Sequence, residues 1–291
     1  MKFFGGLALA YVLLVTISSC SSTPKVTSQF NTPGIAGAQP ASISEHIGNT
    51  ERESVDGLGF YISHDDRNLY LTVDFISNRL YQQAMEFGFT IFVDNKNSFK
   101  KSFGITYPTG LYYELGEYPG ARKGYLAESD WETNPNNLSI KQTSERAMYQ
   151  RALISQRSSR QQDLTPFPVP LPQLEAQNIR IITGGNDNNN VIFFTIPLET
   201  RSTSQFSPDI ASGESLRLGF EIDPIRLLNL ASGLSIPRTR SQSRTQTGVG
   251  ETSSNDDEEL RRHLNLIMRR LIEPYEQWIE VTLKKPADNP T

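Results

Sequence analysis

The chain has 291 residues, of which 37% are hydrophobic and 21% charged, a composition too apolar for a wholly disordered protein. The net charge of −4 gives no electrostatic reason to expect a nucleic-acid partner, and no apolar run is long enough to indicate a polytopic membrane protein. One cysteine and three histidines exclude an internal disulfide framework and a cysteine-rich zinc site.

The N-terminus has the organisation of a signal peptide, with Lys2 before a mostly apolar stretch over residues 5–17. The run Ile17-Ser18-Ser19-Cys20 resembles the lipobox of bacterial lipoproteins. This resemblance implies that residues 1–19 are removed, that the Cys20 thiol carries the lipid, and that Ser21 directs the protein to the outer membrane. An uncleaved anchor helix and an ordinary secretory signal are the alternative interpretations.

Residues 20–56 are rich in Ser, Thr, Pro, Gly and Ala without sustained periodicity, which predicts a lipidated N-terminus and a flexible tether. Short alternating segments follow. In residues 68–75, four apolar side chains alternate with Tyr70, Thr72 and Asp74, as expected for a strand with one buried face. The same reasoning predicts strands at 58–63, 87–93, 102–107, 178–183, 191–198, 215–222 and 278–283.

Four further segments have other patterns. Residues 258–273 carry apolar side chains along one helix face, which predicts an amphipathic helix, and residues 139–162 are weakly helical. Alternating prolines over 165–172 predict an extended chain, because they cannot form a helix. Residues 236–257 contain almost nothing apolar and predict a mobile surface loop.

Two short motifs carry a resemblance to a known superfamily. Asp65, Asn68, Leu69 and Tyr70 match a "D-x-x-N-L-Y" strand opening, and the run Phe92-Val93-Asp94 matches an apolar strand that ends in Asp. This order of features resembles the β-sandwich superfamily of family 9 carbohydrate-binding modules and DOMON domains. The resemblance implies an all-β fold, an antiparallel β-sandwich over 57–286 with helical insertions at about 111–173 and 233–275. Some DOMON relatives hold haem between Met and His, for which His64 and Met85 are the candidates, but no haem attachment motif accompanies them.

Aromatic residues are concentrated between positions 107 and 131. Flat rings on loops can stack on the C–H face of a sugar ring, and nearby Glu114, Glu117, Arg122 and Asp130 could bind hydroxyl groups. The alternative is that the rings cover the end of the sandwich. The predicted ligand-binding residues are Tyr107, Tyr112, Tyr113, Tyr118 and Trp131.

No catalytic residue, metal site or cofactor is predicted. Asp65, Asp66 and Asp94 are carboxylates at strand ends, where Asp commonly caps a turn. The favoured hypothesis is therefore a lipid-anchored, non-catalytic binding module of the bacterial envelope for a carbohydrate or similar polar ligand. An outer-membrane assembly component with an envelope protein partner is the alternative, and a hydrolase would require two carboxylates facing each other across a cleft.

Overall fold

A computed structural model describes residues 23–30, 42–95, 101–128, 130–157, 165–184, 190–200, 205–210, 214–223 and 274–284. The strands are β1 (Lys25–Phe30), β2 (Arg52–Val55), β3 (Leu58–His64), β4 (Asn68–Phe75), β5 (Thr90–Asn95), β6 (Phe103–Thr106), β7 (Arg151–Gln156), β8 (Phe167–Pro170), β9 (Arg180–Thr183), β10 (Val191–Pro197), β11 (Ser215–Ile222) and β12 (Tyr275–Leu283). The helices are α1 (Ile43–Asn49), α2 (Asn78–Phe87), α3 (Leu111–Glu114), α4 (Ala121–Ala127), α5 (Pro135–Ala147) and α6 (Leu171–Ala176), with a 3-10 turn at Leu115–Glu117.

The strands form one curled, mixed sheet that resembles half of a barrel. Its order is β8-β7-β6-β5-β11-β12-β1-β3-β4-β10-β9, and β2 pairs with β3 outside this path. Strand β1 pairs in parallel with β12 through its first residues and in parallel with β3 through Gln29 and Phe30. The other described pairings are antiparallel, so β1 joins two antiparallel halves.

The core lies between these two halves. The strand register aligns apolar side chains across neighbouring strands. Leu71 on β4, for example, lies between Ile62 on β3 and Phe194 on β10. Aromatic rings then connect the halves: the ring centroids of Phe60 and Phe220 lie 5.7 Å apart. All five of these side chains are buried. Because alternate residues face this core, the period-two pattern identifies strands such as β4 and β11 correctly.

The predicted β-rich fold is confirmed, but the sheet is mixed and continuous and is not clearly an antiparallel sandwich. Part of the expected tether is also ordered, because β1, α1 and β2 all lie within residues 20–56. The sequence pattern did not indicate β1, because most of the side chains in this strand are polar and show no apolar alternation. The predicted boundaries of the single domain and its two insertions stay a prediction.

Helix α2 was not predicted and overlaps the start of the strand expected at 87–93. Its buried residues are Leu80, Gln83, Ala84 and Phe87, a helical spacing in which one of the members is polar. Phe87 therefore ends a helix, and the chain turns at Gly88, whose φ of +87° favours glycine, before β5 begins.

The stretch expected to be weakly helical divides into α5 and β7, which joins the sheet beside β6. The predicted extended segment holds β8, whose prolines lie on an edge strand, but Leu171 and Pro172 already begin α6. The segments predicted at 1–19, 236–257 and 258–273, and Cys20 itself, lie outside the described residues.

The two motifs that carry the family resemblance are turn anchors in this structure. Asp65 accepts hydrogen bonds from the backbone N–H groups of Arg67 and Asn68 and from the hydroxyl of Tyr70. Asp94 is buried and accepts from the backbone N–H of Lys101 and Ser102 and from the Ser102 hydroxyl. Both carboxylates therefore hold strand connections, as Asp does in many turns.

Helix α1 is fixed to the outer face of the sheet by a buried histidine. The His46 Nδ1 atom lies 2.7 Å from the Thr72 hydroxyl, and Nε2 lies 2.9 Å from the Ser63 hydroxyl. The ring also meets the edge of Phe193 and is 1% exposed. Burial lowers the pKa of His46 from 6.5 to about 4, because the charged imidazolium would lose its hydration.

Exchanging His46 for Gln should flatten the pH dependence of stability. Since the native pKa is lowered from 6.5 to about 4, the unfolded chain binds the proton first, so the stabilisation is complete above pH 6.5 and is lost as the pH falls towards 4. The free-energy advantage of wild type over His46→Gln should shrink by about 3 kcal/mol across this window. Urea unfolding at several pH values measures it, and a constant difference would contradict the prediction.

Candidate functional site

An open cleft of about 340 Å³ lies beside the 3-10 turn that follows α3. One side comes from α3 and this turn, and the other from the end of α5, the start of β7 and the end of β8. The lining residues are Glu114, Glu117, Tyr118, Ser144, Ala147, Gln150, Arg151 and Pro170. The cleft is therefore lined mainly by groups that can bind a polar ligand.

Close backbone packing places α3 at this position. Gly110, with a φ of +90°, crosses the chain at Gly88 so tightly that a Cβ on Gly110 would collide with the Gly88 nitrogen. The neighbouring Thr109 N–H donates to the Met148 carbonyl, and its hydroxyl donates to Glu114. The end of α2, the start of α3 and the end of α5 are thus held together, and Glu114 is directed towards β7.

Arg151 bridges the two carboxylates of the cleft. Its guanidinium donates to both oxygens of Glu114, which is 1% exposed, and Nη2 lies 3.3 Å from the exposed Glu117 Oε1. The hydrogen bond with Glu114 raises the pKa of Arg151. Glu114 is consequently saturated by protein donors, whereas Glu117 keeps a carboxylate oxygen towards solvent.

Ser144 is the unusual residue of the cleft. It is 1% exposed, and its hydroxyl has no hydrogen-bond partner. The adjacent Thr143 shows the ordinary alternative, since its hydroxyl donates to the Ser139 carbonyl one turn earlier on α5. A buried hydroxyl without a partner is disfavoured, and this one belongs to a residue that lines the cleft.

Three other groups complete the polar surface. Tyr118 is half-buried and presents a ring at the cleft wall, Gln150 is exposed, and the Arg151 guanidinium is partly exposed. A tyrosine ring can pack against an apolar C–H face, while amide, hydroxyl and carboxylate groups bind hydroxyls. The arrangement fits a small ligand that has both an apolar face and several hydroxyl groups.

The predicted aromatic site is mostly interior. The rings of Tyr107, Tyr112 and Trp131 are 2%, 4% and 3% exposed, so the expectation of exposed stacking rings is wrong at these positions. Trp131 packs with Leu111 and neighbouring apolar residues in a small second core. Tyr107 and Tyr112 belong to the main core instead.

Two of the predicted residues lie nearer to the surface. Tyr113 is partly buried and has the Arg151 guanidinium 5.8 Å from its ring centroid, while Tyr118 lines the cleft. Glu114 and Glu117, which were expected to bind hydroxyl groups, line the same cleft. Arg122, expected to act with them, donates to the Tyr112 and Tyr113 carbonyls instead. A ligand-binding role for Tyr113 and Tyr118 stays a prediction.

Sequence reasoning missed the opposite wall, formed by Ser144, Gln150 and Arg151. Ser144 lies in a weakly amphipathic polar helix, and nothing in its local pattern distinguishes it from the exposed Ser139. Only the packing of α5 against α3 buries its hydroxyl beside Glu114. A pattern within one segment carries no signal for such a contact.

Other candidate chemistries receive no support from the described residues. Both ring nitrogens of His64 are occupied, by the Ser28 hydroxyl and the Lys284 carbonyl, while Met85 receives the Tyr149 hydroxyl. No group of three or more His, Cys, Asp or Glu residues in the described ranges is suited to a metal ion. None of the helices in the same ranges has the length and apolar character needed to cross a membrane.

No family model and no curated protein matches the chain. Among solved structures, it is similar to a crystal structure from Bacteroides uniformis named a "putative carbohydrate-binding protein", with 10% identity and a TM-score of 0.34 over 69% of this chain and 84% of that chain. A likeness of this extent carries no functional argument. The function has to be inferred from the side chains of this chain.

Replacing Arg151 with Met should destabilise the protein, because it leaves the buried Glu114 carboxylate without its charged partner. We expect a loss of about 2 to 3 kcal/mol in the free energy of unfolding, less than for a fully buried pair because Arg151 is partly exposed. The double variant Glu114→Gln/Arg151→Met should recover part of this loss, since it removes both charges. Urea denaturation tests both, and an unchanged single variant would contradict this account of the ion pair.

Proposed function

We propose that the chain is a non-catalytic binding protein for a carbohydrate or a similar polyhydroxylated ligand, and that the cleft is its binding site. The observation that carries the proposal is the partnerless hydroxyl of Ser144, buried in a wall that also presents Tyr118, Gln150 and Glu117. A sugar hydroxyl would satisfy Ser144, and a sugar C–H face would cover the Tyr118 ring.

The state of the carboxylates supports a binding role over hydrolysis. An acid/base pair needs two carboxyl groups facing the substrate from opposite sides. Here Glu114 is buried and held by Thr109 and Arg151, and Glu117 contacts the same guanidinium from the same side. Asp65 and Asp94 accept hydrogen bonds from backbone N–H groups in turns and do not line the cleft.

The proposed setting is the bacterial outer membrane, with the protein attached through lipid on Cys20. The lipobox-like run and the preceding apolar stretch support this location, and several acyl chains on one residue would make the attachment stable. A lipid-held module in the cell envelope would meet glycans as its natural ligands.

Binding of saccharides should depend on Ser144 and Tyr118. The full chain in detergent would be titrated by calorimetry with neutral and acidic monosaccharides and with hexasaccharides of glucose, xylose and N-acetylglucosamine. Ser144→Ala should weaken binding about fivefold, the value of one hydrogen bond, and Tyr118→Ala about tenfold through loss of ring contact.

Two matched variants separate binding from stability. Thr143→Ala removes a hydroxyl from the same helix outside the cleft lining, and Tyr118→Phe keeps the ring, so both should bind nearly as wild type. Ser144→Ala should also be at least as stable as wild type, because it deletes an unsatisfied buried group. Absence of binding across the panel, or equal binding by Ser144→Ala and Tyr118→Ala, would overturn the proposed site.

Lipid attachment should require Cys20. The chain with its own N-terminus would be produced in a bacterial host supplied with an alkyne-tagged fatty acid, followed by membrane fractionation. Wild type and Ser21→Ala should carry the tag, whereas Cys20→Ala should lose it because the acceptor thiol is gone. Tagged Cys20→Ala protein would refute the assignment.

A further inference from the structure

The Arg151 guanidinium, which lines the cleft, holds the two neighbouring glutamates unequally. Glu114 takes the edge formed by Nε and Nη2: Nε lies 3.1 Å from Glu114 Oε1, and Nη2 donates to Oε2. Glu117 contacts only Nη2, and its Oε1 lies 3.3 Å from this nitrogen. The edge formed by Nη1 and Nη2 is thus the one that Glu114 does not occupy, and Glu117 contacts only one of its two nitrogens.

The two carboxylates also differ in how firmly they are held. The Glu114 side chain is 1% exposed and accepts a further hydrogen bond from the Thr109 hydroxyl. The Glu117 side chain is 61% exposed and meets Arg151 through one oxygen. Exposed ion pairs contribute little, because water solvates both partners well. A ligand can therefore displace Glu117 from the guanidinium at small cost, while Glu114 stays in place.

The charges of the lining residues leave one carboxylate uncompensated. Glu114 and Glu117 carry two negative charges and Arg151 one positive charge, and the bidentate pair of Glu114 with Arg151 neutralises two of the three. Arg122 also lies near these carboxylates, but it donates to two backbone carbonyls of α3 and does not line the cleft. An acidic ligand that enters the cleft therefore meets the like charge of Glu117.

We propose that Glu117 sets the charge specificity of the cleft, which selects uncharged saccharides over acidic ones. The inference rests on the proposed function for the general class of ligand and assigns specificity to one residue. The Glu117 carboxylate contacts Arg151 where a ligand carboxylate would bind, so the two compete and repel each other. A neutral saccharide avoids this competition, because its hydroxyl groups bind the uncharged side chains of Ser144 and Gln150.

Removing the charge of Glu117 should open the cleft to acidic saccharides. An accessible edge of a guanidinium binds a carboxylate through two parallel hydrogen bonds, a geometry that suits arginine in particular. Glu117→Gln keeps the length of the side chain and one acceptor oxygen but no longer competes as an anion for Arg151. The affinity for an acidic saccharide should therefore rise relative to that for its neutral counterpart.

Calorimetric titration of the full chain in detergent tests this with the hexasaccharide of galacturonate and its methyl ester, which differ in charge. Wild type should bind the ester about fivefold more tightly than the acid at low salt. Glu117→Gln should reverse the preference, with the acid bound about fivefold more tightly than the ester. High salt should reduce both differences, because it screens charges that are exposed to solvent.

Glu175→Gln is the matched control. Glu175 is an exposed glutamate on α6 that does not line the cleft, and its replacement changes the net charge by the same amount as Glu117→Gln. Glu175→Gln should therefore keep the wild-type ratio of the two affinities. A shift as large as that of Glu117→Gln would show that net charge, and not Glu117, sets the preference, and would overturn the inference.

The outcomes separate this inference from the proposed function. Equal binding of acid and ester by wild type, or no gain in binding of the acid by Glu117→Gln, would overturn the role of Glu117 alone if neutral saccharides bind in a Ser144-dependent way. Binding of the acid by Glu117→Gln, with no saccharide bound by wild type, would support the role of Glu117 and overturn the proposed function. Binding of no saccharide by either protein would overturn both.

Discussion

The fold depends on the seam at β1, where two antiparallel halves become one sheet. His64 Nε2 is bonded to the Lys284 carbonyl and must donate, so in the neutral ring Nδ1 accepts from the Ser28 hydroxyl, which lies 2.8 Å away. One buried ring thus connects β1 and β3 to the end of β12. Burial lowers the pKa of His64, which favours the neutral form that this pattern of donors and acceptors requires.

Sequence patterns found the strands that bury one full face and missed those that do not. Residues 68–75 and 215–222 alternate because every second side chain meets the central core, and their bounds agree with β4 and β11. Strand β1 does not follow this pattern. It contributes backbone pairing on both of its sides and the side chain of Ser28, which is buried only because β3 and β12 lie beside it. Parallel pairing between remote segments leaves no local periodicity to detect.

The candidate site shows the same division between local and non-local information. The aromatic stretch at 107–131 marked the part of the chain that contains α3, the 3-10 turn and one wall of the cleft. The pattern could not tell which rings face inward, and Tyr107, Tyr112 and Trp131 do. Arg151 and Ser144 come from a different segment. They become part of the cleft only because β7 and α5 fold against the element that carries Glu114.

Unsatisfied polar groups give a sharper indication of function here than aromatic composition does. Ser144 is 1% exposed, its hydroxyl lacks a partner in the described structure, and the residue lines the polar cleft. An apolar side chain at this position would relieve the desolvation cost, so stability alone does not account for the serine. A ligand with hydroxyl groups would satisfy it, which is why the cleft, and not the aromatic stretch as a whole, carries the proposed function.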